Sequence, residues 1–485
     1  MTTRMLSRRS YQGISQEICM DRLTVADVLA ATGGRLLSGN KQTSVTGVST
    51  DTRSTTNGEM FFAINGENYN GHDFVSQAKD KGAVGAVISK TNGIANLLQG
   101  DERVCSLIEV EDTRKALGDL ARLYRKNLRT KFIAITGSNG KTTTKDMVYH
   151  LLRNFKSVTK SINSFNNDIG VPLTIFETNS SHDFCVIEMG TNAPGEIRRL
   201  SEIISPNYTI LTNISPTHLE GLRDIEGVTE AKAEFVENMD EEGTLIFNSD
   251  DNRCTQISQR FCGKVIGYGF EEEALIRASN VRRNDFGFDF TVNGLSSVAL
   301  RLVGKHNIYN ALAAISLCSA VGIRLEELLD KFEDFKPPPM RMERQTCGDI
   351  VIIHDEYNSS PLSMSAAIEE FEQLPVPGRR VFVCGDMMEL GDKSEELHRE
   401  IGEKVAQSNI DIICTVGAHS RWIAEEAISN GMPRENVRCY KNSAEISSLI
   451  VSLIRNRDTV LIKGSRKMKM EAISHQIENF FQGKS

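Results

Sequence analysis

The strongest constraint in this 485-residue chain is a short polar turn, Gly137-Ser138-Asn139-Gly140-Lys141-Thr142-Thr143. It sits between an apolar run at 132–136 and a helical pattern that continues to 152. A short apolar run that ends in glycine reads as a buried strand. Glycines let consecutive backbone N–H groups turn toward one anion, and the N-terminus of the next helix adds partial positive charge. In such a turn Lys141 can neutralise β- and γ-phosphate oxygens, and the Thr142 hydroxyl can ligate Mg²⁺. Ile135 stands where the common form of the pattern, G-x-x-x-x-G-K-[ST], has its first glycine. A glycine turn with an incidental lysine is the plainer alternative. The strand before it and the helix after it favour a nucleotide.

The rest of the chain repeats this alternation, which implies a parallel sheet covered on both faces. Strands are expected at 45–53, 59–64 and 83–88, with helices at 74–81 and 114–129. From Lys131 onward, strands are expected at 132–136, 184–187, 208–212, 244–247 and 264–268. Residues 285–292 alternate Phe286, Phe288 and Phe290 with polar residues, the pattern of half an antiparallel hairpin. Helices at 306–321 and 325–332 precede Lys336-Pro337-Pro338-Pro339, the clearest linker. Strands at 350–353, 381–384, 410–416 and 459–462 follow. The fold class is therefore α/β in three domains, 21–130, 131–336 and 337–485. The central domain is a phosphate-loop ATPase-like parallel sheet, and the C-terminal one is doubly wound. Residues 1–20 lack apolar periodicity and read as a disordered, dispensable extension.

Composition removes other classes. A net charge of -8 opposes a general nucleic-acid binder, which needs a broad basic surface. The ten cysteines form no Cys-x-x-Cys pair and no Cys/His cluster, so free thiols in a reducing cytoplasm are expected. The most apolar stretch, 308–323, is interrupted by Tyr309, Asn310, Ser316 and Ser319 and reads as a buried helix, with no contact with a membrane expected. A monomer is expected.

A phosphate loop alone does not name a reaction. Glu188 ends an apolar strand, and a carboxylate at the C-terminal end of a parallel strand faces the ligand crevice. His218 follows a second such strand and is a metal candidate beside it, although a lone histidine is more often structural. Lys232, in Glu230-Ala231-Lys232-Ala233-Glu234, reads locally as a solvated lysine.

Further strings carry a family resemblance. In order they are F-N-N-D-I-G-V-P at 165–172, E-M-G-T-N-A-P-G-E-I at 188–197, N-I-S-P-T-H-L-E-G at 213–221 and G-K-H-N-I-Y-N-A-L-A-A at 304–314. Y-N-S-S-P at 357–361, G-D-M-M-E-L-G at 385–391 and K-G-S-R at 463–466 complete the series. Together with the phosphate turn, they resemble the motifs of the Mur ligases in family order. S-T-D-T-R at 49–53 and N-G-H-D-F at 70–74 resemble the substrate domain of the branch that adds D-alanyl-D-alanine. The resemblance implies ATP, Mg²⁺, UDP-N-acetylmuramoyl-tripeptide and D-alanyl-D-alanine as ligands. It implies Lys141, Glu188, His218 and Lys232 as catalytic residues, with Thr142, Glu188 and His218 on metal and Lys232 carbamylated. The turn residues, Asn307, Asn310, Arg341 and Asp355 would serve the nucleotide. Ser49, Asp51, Arg53, Asn166, Asn167, Tyr357, Asn358, Lys463 and Arg466 would serve the other substrates. Glu356, Ser359 and Ser360 depart from the family's usual residues. A ligase adding the third peptide residue and a folylpolyglutamate synthase-like ligase are the rivals; the strings at 165–170 and 385–391 favour the D-alanyl-D-alanine branch. A phosphate-loop kinase would not need the C-terminal strings.

Overall fold

Five of the six residues of the strand Lys131–Thr136 are buried, as they can be only inside a sheet covered on both faces. This is a computed structural model, and it describes residues 20–66, 68–90, 105–284 and 287–482. The expected extension before Met20 and the first two residues of the expected hairpin strand, Asp285 and Phe286, lie outside the described residues.

Lys131–Thr136 belongs to a nine-stranded sheet, between Phe184–Glu188 and Tyr208–Leu211 and parallel to both. The chain runs to one side of it for Val158–Lys160 and Phe184–Glu188, then crosses to the other for Tyr208–Leu211, Thr244–Asn248 and Lys264–Gly269. That reversal opens a crevice at the carboxyl ends of the strands. Ile276–Asn284, Gly287–Val292 and Ser296–Leu300 close the far edge as an antiparallel ribbon. Alternation along Lys131–Thr136 serves two cores. Ile133 and Ile135 pack with helices Lys141–Leu152 and His306–Ala320. Phe132 and Ala134 pack on the opposite face, in a cluster continuous with Leu117, Leu120 and Tyr124 of helix Thr113–Asn127. This helix joins the N-terminal domain to the central one.

The N-terminal domain has a five-stranded sheet in the order Arg35–Ser38, Ser106–Val110, Gly85–Ser89, Glu59–Phe62, Gly47–Ser49. The strand expected at 45–53 is shorter, ending at Ser49. Side chains end it: the Ser49 hydroxyl accepts the Asp51 N–H, and the Asp51 carboxylate accepts the Arg53 N–H. The C-terminal domain has six strands, ordered Glu343–Cys347, Ile350–Asp355, Thr459–Lys463, Arg380–Gly385, Ile412–Val416, Val437–Tyr440. All pairs are parallel except the first, and separate apolar clusters cover the two faces, as a doubly wound sheet requires. The helix expected at 325–332 is instead two 3₁₀ turns, Leu325–Glu327 and Leu329–Phe332. The Arg324–Glu327 pair closes the first turn on itself, and eight residues before a proline break are too few to propagate an α-helix. Among the described residues every cysteine is a free thiol, and no helix is long and apolar enough to cross a membrane.

Candidate active site

The crevice is a cavity of about 1600 Å³ with walls from all three domains, including Arg114, the phosphate turn, Glu188, His218, Tyr357 and Lys463. The turn is clamped to the neighbouring strand end. Ser138 N–H donates to the Asn213 carbonyl at 2.8 Å, and the Thr212 hydroxyl donates to the Asn139 carbonyl at 2.6 Å. Two glycines are obligatory. At Gly137, with φ 138°, a Cβ would lie 2.0 Å from Thr212 Oγ1. At Gly140, with φ 81°, it would lie 2.5 Å from Asn310 Oδ1. Asn310 also accepts from Thr144 and donates to Asn307, so this pair supports the turn from below. Lys141 Nζ donates to the Gly137 and Ser138 carbonyls at 2.8 and 3.0 Å. Burial lowers its pKa, with the Glu188 charge opposing and the Arg341 charge reinforcing the shift.

The expected oxygen donors meet. The Thr142 hydroxyl donates to Glu188 Oε2 at 2.8 Å, and Asn166 Nδ2 donates to Oε1 at 2.9 Å. A hydroxyl and a carboxylate side by side suit a small hard cation, which takes few protein ligands beside phosphate oxygens and water. Among the described residues no three His, Cys, Asp or Glu side chains gather to hold a metal unaided. Asn167, expected among the substrate residues, lines the cavity but uses its Oδ1 to accept the Gly170 N–H.

Lys232 corrects its local reading: it is 1% exposed, not solvated. Its flanking acids are engaged elsewhere. Glu230 pairs with Arg260 at 2.6 Å, and Glu234 accepts the Gly195 and Arg198 N–H groups at the start of helix Glu196–Ile204. Among the described residues no hydrogen bond or ion pair reaches Lys232 Nζ. Burial, and then the Lys141 charge, hold its pKa well below the ordinary lysine value.

The C-terminal domain reaches over the turn. Arg341 donates to Thr142 Oγ1 at 3.0 Å and lies 4.3 Å above the Tyr357 ring. Lys463, 3% exposed in its side chain, pairs with Asp355 at 2.7 Å and donates to the Asn358 carbonyl. Arg466 is more open and pairs with Glu471. The three departures have local explanations. The Ser360 hydroxyl caps helix Pro361–Gln373 and reaches Asn139 Oδ1 at 3.0 Å. Ser359 is buried near Met364. Glu356 turns inward and accepts from His354 and Ser474.

Ser49, Asp51 and Arg53 are not among the residues that line this cavity. They form their own turn in the N-terminal sheet, with Arg53 paired to Asp51 at 2.6 Å. Sequence reasoning missed Glu389, which contacts His218, and Asp386, which fixes the loop that carries it. Both lie in the quoted string at 385–391, but nothing in their spacing says what they touch.

The family description "Mur ligase middle domain" matches residues 135–318, "Mur ligase, glutamate ligase domain" matches 340–466, and "Mur ligase family, catalytic domain" matches 44–125. The UDP-N-acetylmuramoyl-tripeptide–D-alanyl-D-alanine ligase of Bacillus subtilis (strain 168) is 34% identical over 94% of this chain and 98% of its own. The Escherichia coli (strain K12) ligase of the same name is 33% identical over 89% and 93%. A crystal structure of MurF from Acinetobacter baumannii superposes with a TM-score of 0.84 at 28% identity, covering 95% of this chain and 99% of that one. Sequence, domain order and fold agree, and the chain belongs to the Mur ligase family.

Proposed function

We propose that this protein is an ATP-dependent ligase that joins D-alanyl-D-alanine to UDP-N-acetylmuramoyl-tripeptide, forming ADP and phosphate. The step builds a peptidoglycan precursor. The observation that carries the reading is the meeting of Thr142, Glu188 and Lys141 at one cavity walled by three domains. Similarity along nearly the whole chain to ligases of that name supports the same substrates. The Thermotoga maritima relative of the same fold was crystallised with ADP, in keeping with ATP as the phosphoryl donor.

The N-terminal domain, 21–130, is assigned the UDP end of the substrate, 131–336 the ATP, and 337–485 the dipeptide. An amine cannot displace oxide from a carboxylate, so the carboxylate must be activated. A tripeptide carboxylate oxygen attacks the γ-phosphorus of ATP, and ADP departs. The neutral amine of D-alanyl-D-alanine then attacks the acyl carbon of the acyl phosphate. The bond to phosphate breaks, the amide forms, and the ammonium proton passes to solvent. The chain's part is positioning and charge neutralisation. The turn N–H groups and Lys141 hold phosphate oxygens, and Arg341 adds charge from the C-terminal side. Asn307 and Asn310 support the nucleotide. Ser49, Asp51, Arg53, Asn166, Asn167, Tyr357, Asn358, Lys463 and Arg466 orient the other substrates. Thr142, Glu188 and His218 would hold Mg²⁺, which when bound offsets the phosphate charge.

Lys232 is assigned a carbamate. CO₂ adds only to a neutral amine, and burial favours that form of Lys232. The carbamate would act as an anion beside the metal, where an ammonium would repel it.

The test is phosphate release with UDP-muramoyl mono-, di- and tripeptides, each with and without D-alanyl-D-alanine. Release that matches amide formation is expected only with tripeptide and dipeptide together. Turnover with UDP-muramoyl dipeptide and a third-position amino acid would overturn the assignment.

A further inference from the structure

We propose that Glu389, carried by the C-terminal domain, is the positioning residue that orients His218 of the central domain for a divalent cation. The cation site is then complete only when those two domains meet. This rests on the reading of His218 as a metal residue. His218 Nδ1 lies 2.6 Å from Glu389 Oε2. A carboxylate there accepts the Nδ1 proton, fixes the tautomer and leaves the lone pair on Nε2, the nitrogen then available to a metal.

The surroundings show a carboxylate that is presented, not one that drifts. Met387 N–H donates to His398 Nε2 at 3.0 Å, and Met388 N–H donates to Ser465 Oγ at 2.9 Å. One residue earlier, the buried Asp386 carboxylate accepts the N–H groups of Ala418, His419 and Ser420 at 3.1, 3.1 and 2.7 Å. The loop is therefore pinned to its own domain up to the residue before Glu389. Glu389 then reaches across. Its carbonyl accepts the Glu220 N–H at 3.1 Å, while its side chain takes His218. Both partners hold left-handed backbone, φ 56° at His218 and φ 66° at Glu389. Non-glycine residues keep that conformation where the surroundings impose it, often at functional sites. His218 and Glu389 both line the large cavity.

The test is Mn²⁺ binding to the full chain, saturated with a non-hydrolysable ATP analogue and followed by electron paramagnetic resonance. Glu389→Ala should weaken one class of Mn²⁺ site about ten- to hundredfold, the usual effect of losing an outer-shell partner. Glu389→Gln keeps an acceptor oxygen and should recover most of that loss. His218→Ala should weaken the same class. Small-angle scattering of the analogue-bound Glu389→Ala protein should match the unsubstituted protein. Unchanged Mn²⁺ binding in Glu389→Ala alongside a loss in His218→Ala would overturn the proposal and leave the metal role of His218 standing. Unchanged binding in both would overturn both. A loss accompanied by an expanded particle would replace orientation by a simple latch.

Discussion

Lys141 and Lys232 show how differently two lysines of one domain are written in a sequence. Lys141 lies in a local motif whose chemistry is complete within seven residues, so its place could be read directly. Replacing it by alanine should cut the ligation rate about a hundred- to thousandfold, the scale of losing one preorganised charge donor. It is half-buried and, among the described residues, hydrogen-bonds only to its own turn, so the melting temperature should stay within about 2 °C. Near-normal turnover would contradict its role. Lys232 was illegible because its burial comes from partners far along the chain. Glu230 and Glu234 look like its companions in sequence, yet Arg260 and the start of helix Glu196–Ile204 claim them. Lys232→Ala should be inactive and regain turnover with added short carboxylates, which return the missing anion. Protein supplied with ¹³C-bicarbonate should show a carbamate carbon. Failure of both would remove the carbamate.

Among the elements, the central parallel strands were the most legible, because burial on both faces leaves continuous apolar runs. Tyr208–Leu211 and Thr244–Asn248 fall within a residue of expectation. Shorter or half-exposed strands such as Val158–Lys160 and Glu343–Cys347 left no such trace. Nor did the inward turn of Glu356, which meets one partner two residues back and another on a distant helix. His354, on strand Ile350–Asp355, donates to Glu356, which also accepts from Ser474 of helix Glu471–Gln482. Gln345 and Glu478 face the other ring nitrogen. Burial lowers the His354 pKa, but the Glu356 hydrogen bond and the charges of Glu356, Glu478 and Glu343 outweigh it, so the net shift is upward. A histidine with a raised folded-state pKa adds stability in full below its unfolded value, near 6.5, and loses it as pH rises through the folded value. The melting temperature advantage over His354→Gln should therefore be largest below about pH 6.5 and shrink on the alkaline side. A difference that grows with pH would contradict the ion pair.

At the scale of the molecule, three domains and their order were legible from the linker and the motifs, but the contacts between them were not. Arg341 and Thr142 are separated by 199 positions, and no periodicity relates them. Arg341→Ala should raise the KM for ATP about tenfold, the cost of a charge-assisted hydrogen bond. The domains should still melt as before. An unchanged KM would show that the contact does not bear on the nucleotide. The shared cavity has a consequence for side reactions. An acyl phosphate can be lost to water as well as passed to an amine, and here the cavity that would hold it is walled by residues of all three domains. Fidelity is then a matter of timing. Substitutions at the seam between domains should leak phosphate without product long before they stop the chemistry, and the ratio of phosphate to amide would report how long the walls stay shut.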